Sequence, residues 1–101
     1  MNKIALAFAA LTLTVTTPAF AQPSATGAWS GTTSYILSNT PSEPRYRCAY
    51  SMTVTFSDGT TYTTNGSTDP ASGSQNHRAV TLNHNKMVTG VQVNQWSCNP
   101  I

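Results

Sequence analysis

Between Arg45 and Phe56 apolar and polar positions alternate without a fault. Tyr46, Cys48, Tyr50, Met52, Val54 and Phe56 fall on one parity; Arg45, Arg47, Ala49, Ser51, Thr53 and Thr55 fall on the other. Successive side chains of an extended chain point to opposite faces, so this period of two predicts one long strand with a single buried face. A slip of one residue would turn all six apolar groups outward, which fixes the register. Ser57-Asp58-Gly59 and then Thr60 to Thr64 continue the pattern as a hairpin. A two-residue turn at Asp58-Gly59 would set Tyr62 opposite Thr55, on the polar face. A three-residue loop with Gly59 in the left-handed region pairs Phe56 with Thr60 and Val54 with Tyr62. The second is expected, because it brings Tyr62 to the apolar face.

Elsewhere the pattern is weaker. Residues 22–27 are small and polar and read as a loose end. Residues 29–37 read as a first strand, with Trp29, Thr33, Tyr35 and Leu37 on one parity and Ile36 breaking it. Residues 38–44, with two prolines, form a loop. Residues 65–77 (NGSTDPASGSQNH) show no periodicity and read as a long polar loop, beyond the usual connection length. Asn65-Gly66-Ser67 within it matches the N-glycosylation pattern. Residues 78–84 read as a strand with Val80 and Leu82 inward, followed by a turn at 83–85. In residues 86–98, Val91 and Val93 lie on one parity and Trp96 and Cys98 on the other, which a bulge near Asn94-Gln95 reconciles. No helical period occurs. The expected domain is all-β, a small antiparallel β-sandwich or partly open barrel of about five strands.

The first 21 residues carry a different pattern. Lys3 precedes an apolar run from Ile4 to Val15, then come Pro18 and Ala19-Phe20-Ala21, a small-residue cleavage site. This is the layout of a secretory signal peptide, and the run falls short of the roughly 20 residues that span a bilayer. Residues 1–21 are therefore read as signal peptide and 22–101 as one domain, secreted or periplasmic. No cysteine at the cleavage point offers a lipid anchor, and no later apolar run offers a membrane anchor. Cys48 and Cys98, in an oxidising compartment, pair as one disulfide that ties the long strand to the last one.

Composition narrows the partners. After Ala21 there are four cationic residues (Arg45, Arg47, Arg78, Lys86) and three carboxylates (Glu43, Asp58, Asp69), too even a balance for nucleic acid or an acidic membrane. Thr, Ser, Asn and Gln supply 35 of those 80 residues. Such a surface stays solvated without charge, and threonine suits strands.

Catalytic chemistry has few candidates. The three carboxylates lie in loops or turns, without the contrasting environments that two-carboxylate hydrolysis needs. His77 and His84 flank one strand and, seven apart, point to opposite faces of it. With Arg78 they form the minimum for a small hydrolase or ribonuclease using acid–base chemistry; with Asp69 they form a loose zinc set. No serine sits in a G-x-S-x-G elbow. No metal or cofactor is expected. Trp29, Tyr35, Tyr46, Tyr50, Tyr62 and Trp96 supply ring faces, for core packing or for sugar rings.

Tyr46-Arg47-Cys48, continued by Thr53-Val54-Thr55-Phe56, resembles the early Tyr-x-Cys strand of bacterial periplasmic inhibitors of c-type lysozyme. Ala71-Ser72-Gly73-Ser74 stands where that family carries a Ser-Gly loop. The resemblance implies a disulfide-tied β-barrel whose loop enters a lysozyme cleft. The chain departs from it in three ways: an aromatic or basic residue soon after the Ser-Gly is missing, as is a Trp-x-x-Gly segment, and a strand with Trp29 comes first.

Together these features point to a non-catalytic binding or interaction domain for an envelope glycan or protein, including a lysozyme-inhibitor-like role. Contacts are expected from loops 38–44 and 65–77, at Asn65, Asp69, Ser72, Ser74 and His77. The alternatives are the hydrolase or ribonuclease on His77, His84 and Arg78, and a surface-assembly subunit that pairs through a sheet edge.

Overall fold

A computed structural model describes residues 22–101; the expected signal peptide lies outside the described residues. The strands are β1 (Ser24–Ser30), β2 (Thr33–Asn39), β3 (Tyr46–Phe56), β4 (Thr61–Thr68), β5 (His77–Asn83) and β6 (Val88–Pro100). They form two antiparallel sheets, in the orders β1-β2-β5 and β4-β3-β6. Among the described residues the all-β expectation holds, with six strands in place of about five and no closure into a barrel.

The long alternating strand is the axis of the molecule. β3 is central in its sheet, and Tyr46, Cys48, Met52, Val54 and Phe56 are buried while Tyr50 is half-buried. Ile36, Val80 and Val88 complete the buried cluster from the other strands. Burying each large aliphatic or Phe side chain contributes about 1.5–3 kcal/mol. The hairpin after β3 takes the expected three-residue form. Phe56 N–H donates to the Thr60 carbonyl and Gly59 N–H to the Phe56 carbonyl, each at 2.9 Å. Gly59 has φ +84°, and Val54 faces Tyr62.

The extra strand comes from the segment read as a loose end. Ser24 pairs with Asn39 and Ser30 with Thr33, so Gly31-Thr32 is a two-residue turn that splits the expected first strand. The polarity of residues 24–27 concealed β1, because β1 is an edge strand pressed against β6. Gly27 lies so close that a Cβ there would stand 2.6 Å from the Val91 carbonyl oxygen. The parity break at Ile36 also has a cause. β2 is covered on both faces: Ile36, Ser34 and Ser38 are buried inward, while Tyr35 is buried on the other side with the Arg78 guanidinium 4.0 Å from its ring centroid.

Two further boundaries differ from expectation. Residues 65–68 belong to β4, so the loop spans only residues 69–76. β4 pairs with β3 alone and remains a polar edge, which carries no apolar period to read. In β6 the expected bulge is present: Ser51 faces Gln95 and Met52 faces Val93, leaving Asn94 as the extra residue. A second bulge, at Thr89 between the Thr55–Gly90 and Phe56–Val88 pairs, was not legible.

Cys48 and Cys98 are bonded and directly opposed, with Cα atoms 4.0 Å apart. The disulfide joins β3, the third strand rather than the second, to the last one. Ladder bonds alternate along an antiparallel pair. The Phe56–Thr60 bond sets that alternation toward β4, so Cys48 turns its backbone groups to β4 and meets Cys98 across the narrow, unbonded side.

The two flanks of the sandwich differ. Along β1 and β6 the sheets touch over their whole length: Trp96 Nε1–H donates to the Pro23 carbonyl (3.0 Å), Gly27 lies on Val91, and Val88 N–H donates to the Gly31 carbonyl (2.9 Å). Along β4 and β5 the Thr68 hydroxyl donates to the Ala79 carbonyl (2.8 Å) near the disulfide end. No ladder joins these two edges. Toward the Asp58 hairpin this flank opens into a cleft.

Candidate functional site: the cleft on the open flank

Residues 60–62 and 82–86, together with Phe56, line a cleft of about 650 Å³, within the range of small-ligand sites. One wall is the end of the β3–β4 hairpin and the other is the turn that follows β5.

The hairpin wall is held by an acid–hydroxyl–ammonium cluster. Asp58 Oδ1 accepts from both the backbone N–H and the hydroxyl of Thr60. Lys86 Nζ lies 3.0 Å from Asp58 Oδ2 and donates to Thr60 Oγ1 at 2.9 Å. It also stands 5.3 Å from the Phe56 ring centroid. The Thr60 hydroxyl and then its N–H, with Lys86 behind them, hold the Asp58 carboxyl down at about 2, against an ordinary 3.8. The pair stays ionised and internally neutral.

The opposite wall is organised by His84. Its Nε2 lies 2.7 Å from Ser34 Oγ, and its backbone N–H donates to the Thr32 carbonyl at 2.9 Å. Ser34 is fully buried on the inner face of β2, opposite Leu82. The imidazole meets Phe56 edge-on, with centroids 5.0 Å apart at 74°, and Tyr62 at 6.1 Å and 68°. Tyr62 shares the face of Val54 as expected. It stands on an edge strand, however, and remains 49% exposed. On the outer register of the same sheet, turned away from Ser34, Asn83 Oδ1 accepts from the Thr33 hydroxyl at 3.1 Å.

The residues singled out from sequence are distributed over the molecule. His84 lies in the cleft. His77 is at the other end of β5, opposite Ser38, roughly 20 Å away along an extended strand. The two do not face opposite ways. A bulge at Ala79, between the Ile36–Val80 and Leu37–Arg78 pairs, reverses the parity, and both fall on the inner-face register. Arg78 covers Tyr35 on the outer face.

Asn65 is exposed on β4 opposite Ser51. Asp69 receives Arg47 through Nε at 2.8 Å and Nη2 at 3.0 Å, which lowers its carboxyl and raises the guanidinium. Among the described residues no three His, Cys, Asp or Glu side chains gather as a metal site.

Ser72 and Ser74 lie in the 69–76 loop, which is bound to the end of β2. Thr40 N–H donates to the Ser74 carbonyl, Gly73 N–H to the Pro41 carbonyl and Asn76 N–H to Asn39 Oδ1. Ser74 and Gly73 line a shallower depression of about 300 Å³ with Thr40 and Pro41, at the far end of the β1-β2-β5 sheet.

Sequence reasoning reached His84 and Tyr62 separately. It missed that they meet, and that Ser34, Asp58 and Lys86 frame them. The one available signal was the hairpin register, which puts Tyr62 on the inner face at the same end of the molecule as the turn after β5.

Comparison of the chain with family models, with curated proteins and with solved structures finds no match in any of the three.

Proposed function

We propose that the protein is a small exported, non-catalytic binding domain and that the cleft on its open flank is the contact site. Its partner is a component of the cell envelope, glycan or protein. The observation that carries this reading is the state of the cleft's polar groups. Lys86 and Asp58 satisfy one another, and the imidazole of His84 is held by a buried hydroxyl and two rings. No carboxylate bonds that imidazole among the described residues, and the second histidine stands at the far end of β5. A preformed cleft with exposed aromatic surface and internally paired charges suits recognition. Export rests on the leader-like pattern of residues 1–21.

The test is retention of the purified protein on cell-envelope fractions, compared with Tyr62→Ala and with Ser72→Ala. Retention that drops with Tyr62→Ala and survives Ser72→Ala supports the cleft. Retention that depends on Ser72, or none at all, overturns it. Amino-terminal sequencing of the protein recovered outside the cytoplasm tests export, with Gln22 as the expected first residue.

A further inference from the structure

We infer that the ligand of this cleft is a neutral oligosaccharide, with a pyranose ring against Tyr62 and its hydroxyls bonded to Asn85 and His84. This rests on the cleft being the contact site and adds the chemical class of what it holds.

Charge decides first. Lys86 is committed to Asp58, to the Thr60 hydroxyl and to the Phe56 ring, and Asp58 stays ionised far below neutral pH. An anionic ligand would have to displace Asp58 from Lys86, and a cationic one would have to displace Lys86 from Asp58. A neutral ligand leaves the pair intact.

Surface chemistry decides next. Tyr62 leaves half its surface open to solvent from an edge strand, in a cleft also lined by the exposed Asn85 and by His84. A pyranose presents the complement, an apolar C–H face rimmed by hydroxyls. Ser34 occupies Nε2 of His84, which leaves Nδ1. A sugar hydroxyl both donates and accepts, so it bonds Nδ1 in either tautomer. The imidazole is already fixed, so little ordering opposes binding.

The test is an amide-resolved NMR titration of the purified protein with four probes: chitotetraose, cellotetraose, anionic trigalacturonate and an uncharged acetylated octapeptide. The expected result is saturable movement of Tyr62, His84 and Asn85 with a neutral sugar, weakened about tenfold in Tyr62→Ala, the loss of one ring contact. Asn85→Ala, which alters only an exposed turn, is expected to weaken it as well. Movement of these amides by trigalacturonate or the peptide, with neither neutral sugar acting, overturns the saccharide class while the cleft stands as the contact site. If no probe moves them, and an envelope fraction that retains the protein leaves them unmoved, the cleft reading fails together with the inference.

Discussion

Ser34 and His84, fifty positions apart, meet at 2.7 Å between a fully buried hydroxyl and the imidazole that forms one wall of the cleft. The bond ties the middle of the β1-β2-β5 sheet to the turn after β5. Ser34→Ala leaves a half-buried ring nitrogen without its partner, at a cost of about 1–3 kcal/mol. In a domain of this size each kcal/mol lowers Tm by about 4–8 °C. Thermal unfolding followed by circular dichroism checks this; an unchanged Tm would show that the bond holds nothing.

The inner face of β3 sets the stability. Met52 is fully buried in the cluster with Ile36, Val54 and Val88, so Met52→Ala is expected to cost about 2–5 kcal/mol. Gln92 is exposed on β6 opposite Thr53, and Gln92→Ala is expected to stay within about 0.5 kcal/mol of the parent. Urea denaturation of both variants measures the contrast.

The cross-link closes fifty residues between Cys48 and Cys98. On the chain-entropy account a loop of that length contributes about 4 kcal/mol, a large part of what a small domain possesses. The double variant Cys48→Ser/Cys98→Ser is expected to lose most of its cooperative unfolding transition at 37 °C. A transition within about 1 kcal/mol of the parent's would contradict the account.

Acid should loosen the β3–β4 hairpin in a defined window. The Asp58 carboxyl is depressed to about 2 from an ordinary 3.8. A depressed acid adds stability that is complete above its unfolded value and vanishes as pH falls through its folded one. Asp69 is depressed as well, by Arg47. Urea midpoints recorded from about pH 5 down to about pH 2 should therefore fall, and Asp58→Asn should flatten part of that slope. A slope identical to the parent's would remove Asp58 from the account.

What was readable along the chain was what burial writes with a period of two. β3, its hairpin and the Asn94 bulge were legible because each apolar residue there faces one continuous core. β1 and the second half of β4 were not. Both belong to edge strands, and residues 24–27 and 65–68 are small and mostly polar, with no apolar period to read. Ile36 broke the expected parity because β2 is covered on both faces. The site was legible only in fragments, since Ser34–His84, Asp58–Lys86 and Tyr62–His84 are pairings of tertiary structure. The loop residues Ser72 and Ser74 drew attention by composition, yet the fold binds that loop to residues 39–41 and opens on the other end.

The most direct measurement is oxidative footprinting of the protein while it is held on a cell-envelope fraction that retains it. The account predicts protection of Tyr62 and His84, with His77 at the far end of β5 and the 45% exposed Trp29 labelled as in the unbound protein. Protection of His77 or Trp29, with Tyr62 and His84 still labelled, would contradict it.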